Sequence, residues 1–375
     1  PRSRITEIES KASKGDKEDY GFKLIIMKEV VLKQALGIDV SKASLSMCLG
    51  IMKGDLSKDF IPGLDVSNDK SGFKELVKWL KKNSIKETLP IVVMEATGVY
   101  HEEVALYLYD LGYQVSVMQS GRVKRYAQSL DQRSKTDALD SKMLSMLGCE
   151  RDVPVWNPPS ELMQEIKALS RERSALIKNK CIEQNRQSAI NSSVYSNKRE
   201  IKRHKQRLTL LQLQIAEIEQ EMEEKVSGDD LLKQKMSYLE SIPGVSFISA
   251  VTVIAETSGF ALITSGKQLT SYAGYDVVMK ESGTYRGKTK ISKKGNRHIR
   301  AVLHMPSMTC VRVNPTLRTF YQRLKPTKAK PMIALVAVQR KMLILMYTLW
   351  KNEAYYDGEF EQKKTAEKQV SSCTG

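Results

Sequence analysis

The sequence predicts an α/β domain, then a long helical segment, then a mostly helical C-terminal domain. Three observations predict it. Short apolar runs alternate with helically spaced apolar residues from Val30 to Gly148. Residues 161–225 contain no Gly or Pro. Within them Leu208, Leu211, Ile215, Ile218 and Met222 step by 3, 4, 3 and 4, the spacing of an apolar seam between helices.

The elements follow in order. QALGIDVS reads as a strand, and LSMCLGIM as a second one paired with it through a turn at Ser41–Ser44. In SGFKELVKWLKKN, residues Phe73, Leu76, Val77 and Leu80 have the i, i+3, i+4, i+7 spacing of a helix. LPIVVMEAT is a continuous apolar run, the mark of a buried parallel strand, and it ends at Glu95. HEEVALYLYDLG is a helix stopped by Gly112, YQVSVMQS a strand, and TDALDSKMLSMLG a helix opened by Thr136. WNPPS breaks the pattern. A helical hairpin or coiled coil follows, turning at 191–197. Ile242-Pro243-Gly244-Val245 before an apolar helix has the form of half a helix-hairpin-helix, whose N–H groups can meet a phosphate. Two further helices, near 296–312 and 331–350, close the chain.

The resulting segments are a flexible leader 1–27, an α/β domain 28–158, a helical coiled coil 159–237, a C-terminal domain 238–350 and a flexible tail 351–375. At 375 residues the chain is too long for one average domain. It carries 60 Lys+Arg against 43 Asp+Glu, a net charge of +17 that points to a polyanion, most often nucleic acid. No apolar run reaches the roughly 18 residues of a membrane span. The five cysteines form no CxxC pair, which argues against a disulfide framework or a cysteine zinc site. A reducing cytoplasm is expected.

Four carboxylates stand out by position. Asp39 lies in the first strand, facing opposite to Ile38. Glu95 ends a parallel strand, where open α/β sheets place ligands. Asp137 and Asp140 share one helix face. If that helix packs beside the first strand, all four converge. Such a cluster needs cations, and hard oxygen ligands favour magnesium or manganese. Two ions could clamp the attacking and leaving oxygens of a phosphodiester. Each acid alone also has a bland reading, Asp140 as an exposed helix residue and Asp137 as an N-terminal dipole partner just after a Thr136 cap. Jointly, with strand–strand–strand–helix in this order, they resemble an RNase H/RuvC-like nuclease domain.

The second constellation is Lys280–Arg300. It holds eight Lys/Arg, namely Lys280, Arg286, Lys288, Lys290, Lys293, Lys294, Arg297 and Arg300, against Glu281 alone. These would neutralise phosphates without reading sequence. Ser282 and Ser292 both lie here. A serine attacks a phosphate only with a base, or a metal and cationic neighbours, to help it. Spacing alone does not choose between the two.

GIDVSK (37–42), MEATGVY (94–100), KTDALDSKML (135–144), IPGV (242–245), AGY…SG (273–283) and ISKKGNRHIR (291–300) together resemble the DEDD-motif insertion-sequence transposases, relatives of the Piv-type DNA invertases. The resemblance spans roughly 30–350. It implies a RuvC-like domain whose DEDD acids are Asp39, Glu95, Asp137 and Asp140, then a coiled coil, then a transposase domain whose nucleophile is Ser282, with Ser292 as the alternative. It further implies a covalent phosphoserine link to DNA, a structured bridge RNA as guide and a homo-oligomer, dimer or tetramer, working at a bacterial or archaeal nucleoid. Where the family carries a small helix former this chain has Pro306, and a kink is expected there. The rival readings are a hydrolytic nuclease or Holliday-junction resolvase using the acids and water, and a non-catalytic nucleic-acid scaffold.

Overall fold

The computed structural model describes residues 30–130, 136–195, 197–261, 263–279, 281–287, 290–328 and 330–360. The expected leader 1–27 lies outside them. The chain divides into two compact units, 1–158 and 159–375.

The first unit is a mixed sheet between helices. Strands β1 (Val31–Val40), β2 (Ser44–Lys53), β3 (Lys58–Pro62) and β4 (Val66–Ser67) precede α1 (Lys70–Asn83). Then come β5 (Ile91–Glu95), α2 (Glu102–Asp110), β6 (Val115–Met118), α3 (Ser120–Ser129) and α4 (Asp137–Glu150). The strand order is β3-β2-β1-β5-β6, with β4 on β2. β2 pairs antiparallel with β1 and β3, whereas β1, β5 and β6 run parallel.

Strand alternation sorts the two faces. Leu36, Ile38 and Val40 meet Phe73, Leu76 and Leu80 of α1 and Val104 and Leu108 of α2. The opposite face puts Ala35 and Val93 against Val123 of α3 and Met143, Leu144 and Leu147 of α4. β3, β4 and α3 carry too few apolar residues to be read from periodicity, and are additions to the expected elements.

The second unit is mostly helical. It opens with α5 (Glu161–Asn191) and α6 (Lys198–Ser227), which pack as a helical hairpin turning within 192–197. Ile215, Ile218 and Met222 of the expected seam are buried, whereas Leu208 and Leu211 are half-buried. The seam continues toward the turn as a polar pair, His204 and Glu183, both buried, with Nδ1 and Oε2 2.6 Å apart. Arg186 and Arg207 also reach Glu183.

Then follow α7 (Asp230–Glu240), α8 (Phe247–Thr257) and α9 (Gly266–Tyr272). The strand pairs β7 (Val277–Val278) with β10 (Lys290–Ile291) and β8 (Glu281–Ser282) with β9 (Tyr285–Arg286) make a short ribbon. Helices α10 (Arg297–Val302), α11 (His304–Val313), α12 (Pro315–Leu324) and α13 (Pro331–Asn352) complete it.

The region expected as one helix near 296–312 is two, broken at Leu303. Pro306 therefore falls in the first turn of α11, where its missing N–H has no intrahelical partner to lose. The expected kink inside one helix is thus replaced by a helix start. α13 is long and apolar enough to cross a membrane by composition, with a mean hydropathy of 1.6. It is instead a core helix, for Val338, Met342, Leu343 and Met346 are fully buried. The tail expected to be loose from 351 is tied down as far as Phe360. Tyr355 packs edge-on against Tyr238, and Tyr356 exchanges hydrogen bonds with Asn314.

Candidate active site

Asp39 and Glu95 are brought together by strand register. Ile38 pairs with Met94 in the parallel β1–β5 ladder, so Asp39 and Glu95 are the next residues along on neighbouring strands. Each lies two residues beyond a partner on the α4 face, Gly37 and Val93. Both are half-buried.

Gly37 determines how α4 approaches. A Cβ there would overlap the Ser141 carbonyl oxygen and the Ser145 amide nitrogen. At Gly148 a Cβ would meet the Ala35 Cβ at 2.6 Å and Val93 Cγ2 at 2.8 Å. The helix thus lies backbone-to-backbone on β1, antiparallel to it, with its N-terminus toward Asp39. From Gly37 to Asp39 the strand rises about 6.6 Å. From Ser141 back to Asp137 the helix spans about 6 Å. The first turn of α4 therefore stands level with Asp39.

Asp137 and Asp140 lie in that turn, the first exposed and the second half-buried. Thr136 caps it, its Oγ1 accepting from the Leu139 amide at 3.3 Å. Asp39 and Glu95 thus lie at the carboxyl end of β1 and β5, with the helix turn that carries Asp137 and Asp140 level with Asp39. Among the described residues, no three Asp, Glu, His or Cys side chains yet stand close enough to hold one ion. The donor set is all carboxylate, which fits a hard divalent ion such as magnesium or manganese.

Ser282 belongs to the second unit. It sits in the β8–β9 hairpin, paired with Tyr285 and followed by Gly283 at φ +54°. That left-handed backbone favours glycine. Ser282 is exposed.

Ser292 is half-buried and engaged. Its Oγ donates to Gly274 O and accepts from the Lys294 amide, both at 3.3 Å. Around it the 273–276 and 292–297 segments pack glycine against glycine, since a Cβ on Gly295 would collide with Tyr272 O. Lys293 is held at φ +53° there, its amide donating to Gly274 O at 3.1 Å.

Of the expected phosphate contacts, Lys290, Lys293, Lys294 and Arg297 are exposed. Arg286 lies in β9, and Lys288 falls outside the described residues. Arg300 is half-buried, its Nη1 donating to the carbonyls of Ala273, Gly295 and Asn296. The IPGV turn packs its glycine on α11, a Cβ on Gly244 lying 2.9 Å from the Cys310 amide nitrogen.

Residues 36–192 match the model of DEDD transposases of the IS110 type, described as Transposase, and residues 236–322 match the model described as Transposase IS116/IS110/IS902 family. The chain belongs to the IS116/IS110/IS902 transposase family. It is similar to the pilin gene-inverting protein of Moraxella bovis, 25% identical over 328 residues, 87% of this chain and 98% of that one. The Moraxella lacunata protein of the same name is 26% identical over 331 residues, with the same coverage. The insertion element IS110 43.6 kDa protein of Streptomyces coelicolor is 24% identical over 119 residues, 32% of this chain and 29% of that one.

Sequence reasoning missed the group that anchors the basic loop of this transposase. Glu256 lies in the last turn of α8 with its side chain fully buried. Arg171 of α5 grips it with two hydrogen bonds, Nε–Oε1 at 2.8 Å and Nη2–Oε2 at 3.1 Å. Asn296 Nδ2 donates to Oε2 at 2.6 Å while its Oδ1 caps α10. Burial pushes the carboxyl pKa up, but the hydrogen bonds from Arg171 and Asn296 outweigh it and hold the pKa below the usual value. One Glu closing an apolar run has no period that would reveal it. A second missed residue is His101, buried just after Glu95's loop, with no hydrogen-bond partner for Nδ1 among the described residues. Burial lowers its pKa, which favours the neutral ring.

Proposed function

We propose that this transposase is a site-specific DNA recombinase that cuts and rejoins strands through a phosphoserine. The observation that carries the reading is the Gly37–Ser141 approach, which sets the first turn of α4 beside Asp39 and Glu95. On this reading the first unit is an RNase H/RuvC-like domain, which the strand order β3-β2-β1-β5-β6 supports. Asp39, Glu95, Asp137 and Asp140 hold magnesium or manganese, which when bound offsets the charge of the scissile phosphate.

Ser282 Oγ attacks the phosphorus. A P–O(serine) bond forms, the P–O3′ bond breaks, and the departing 3′-oxygen takes up a proton as the serine gives one up. The bond count is conserved, so a 3′-hydroxyl can later reverse the step without an external energy source. Its exposure supports Ser282 over Ser292, whose hydroxyl is tied to Gly274 and Lys294. Lys290, Lys293, Lys294 and Arg297 hold the backbone beside it. The name of the Moraxella relatives, which invert a gene, supports rejoining over plain cutting. A structured guide RNA and assembly into a dimer or tetramer, with α5 and α6 as a coiled coil, complete the proposal.

The test is a nicked DNA substrate that traps covalent product. Wild type should give a protein–DNA adduct that Ser282→Ala does not form. Cut DNA with free ends and no adduct would favour the hydrolytic nuclease. An adduct with Ser282→Ala overturns the nucleophile.

A further inference from the structure

The α5–α6 hairpin is charged unevenly along its length. Its tip, residues 178–207, holds nine Lys/Arg against two acids, Glu183 and Glu200. The base of α6, 208–227, holds five Glu against Lys225 alone. A face kept merely soluble mixes both signs; this helix segregates them.

The tip cations also share an arc. At 100° per residue, Lys198, Lys202, Lys205, Arg199 and Arg203 cover the side of α6 turned away from His204, Leu208 and Leu211. All five are exposed. Among the described residues no carboxylate lies within salt-bridge reach of any of them, whereas Arg186 and Arg207 are engaged by Glu183. The Glu183–His204 pair locks the two helices together beneath the arc.

Distance supplies the partner. Arg171 holds Asn296 and Arg297's loop through Glu256, so the 290–300 cations sit level with Arg171 on α5. Lys205 stands beside Glu183, about 12 residues further along that helix, and Lys198 stands at the turn, about 20 along, so the arc lies about 18–30 Å from Arg171. That span falls within the roughly 34 Å of one turn of duplex DNA.

We propose that the hairpin tip is a second backbone grip for duplex DNA, holding it within one helical turn of the 290–300 contact. The inference rests on the reading of the chain as a DNA recombinase, and it concerns binding alone. The occupant is a duplex because two basic patches spread over about 18–30 Å of a stiff helical support match repeated phosphates, not a compact ligand.

The experiment measures binding of a 30-base-pair duplex by the full chain without divalent ions, across a salt series. Lys198→Ala/Lys202→Ala/Lys205→Ala should lower the slope of log K against log salt by about 2.7, three lost phosphate contacts. Lys74→Ala/Lys78→Ala/Lys81→Ala on α1 removes the same charge from another exposed face and should leave the slope unchanged. All six side chains are exposed, and matched melting curves confirm the fold.

An unchanged slope in the tip variant, or an equal drop in the α1 control, overturns the proposal. So does a loss seen with a 30-nucleotide RNA hairpin but not with the duplex. Adduct formation by wild type is scored separately, so failure of the tip leaves the recombinase reading standing. A wild type that binds no duplex overturns both.

Discussion

The carbonyl oxygen of Ser141 occupies the space where a side chain on Gly37 would begin. That contact, with the one Gly148 makes on Ala35 and Val93, lets the α4 backbone close onto β1 and sets its first turn level with Asp39. Gly37→Ala gains about 0.5–1 kcal/mol of strand preference. It forces a helix backbone to move, and overpacking costs about 1–3 kcal/mol. The cost wins because the obstacle is backbone, not a side-chain tip that can turn away. A lowered melting temperature together with lost DNA cleavage is expected. Unchanged melting would show that the helix can shift freely.

Glu95→Gln and Asp39→Asn keep size and hydrogen-bonding capacity while removing charge. On the proposal that both ligate a metal, their loss should reduce cleavage at least about a hundredfold, since even outer-shell partners cost 10–100-fold. Melting in the absence of metal should change little. Retained activity at saturating manganese in both variants would remove the pair from the site.

Ser282 and Ser292 separate cleanly. Ser282→Ala sits on an exposed hairpin and should move stability by less than about 0.5 kcal/mol while abolishing the covalent adduct. Ser292→Ala loses two hydrogen bonds that pin the glycine contact, a cost of about 1 kcal/mol. It should still form adduct. The reverse pattern would make Ser292 the nucleophile.

The strands and helices that build the acidic face could be read in the sequence because each carries a local signal. β5 is an apolar run ending in Glu95, β1 alternates apolar residues up to Asp39 and Val40, and Thr136 is a cap. The reason they meet could not be read, for Gly37 shows only as one letter before Ile38, and its role appears when Ser141 is opposite it. β3 and α3 escaped because neither has enough apolar residues to set a period. The helix expected to run through Pro306 split, since a sequence window sees a proline inside a pattern but not the break at Leu303 that moves it to a first turn. Glu256 escaped for a different reason. Its partners, Arg171 and Asn296, lie 85 and 40 residues away, and no local pattern announces a buried carboxylate.

That pair carries a pH signature. Arg171→Ala leaves the Glu256 carboxylate buried with only Asn296 donating to it. Breaking a fully buried pair costs about 3–5 kcal/mol, and the half-exposed Arg171 and the remaining donor place the loss below that range. In wild type the carboxyl pKa is depressed, so its stabilisation is present above the ordinary carboxylate range and is lost as pH falls through the folded value. In the variant burial acts with less opposition and raises the pKa, so its penalty grows as pH rises. The two melting curves should stand furthest apart near pH 7 and converge only as pH falls below the depressed wild-type value, where the carboxyl is protonated in both. Arg171→Lys keeps the charge but not the two-pronged geometry, and should recover part of the loss. A gap of the same size in both pH ranges would mean that Arg171 acts by packing, and that the Glu256 charge has no part in holding the basic loop.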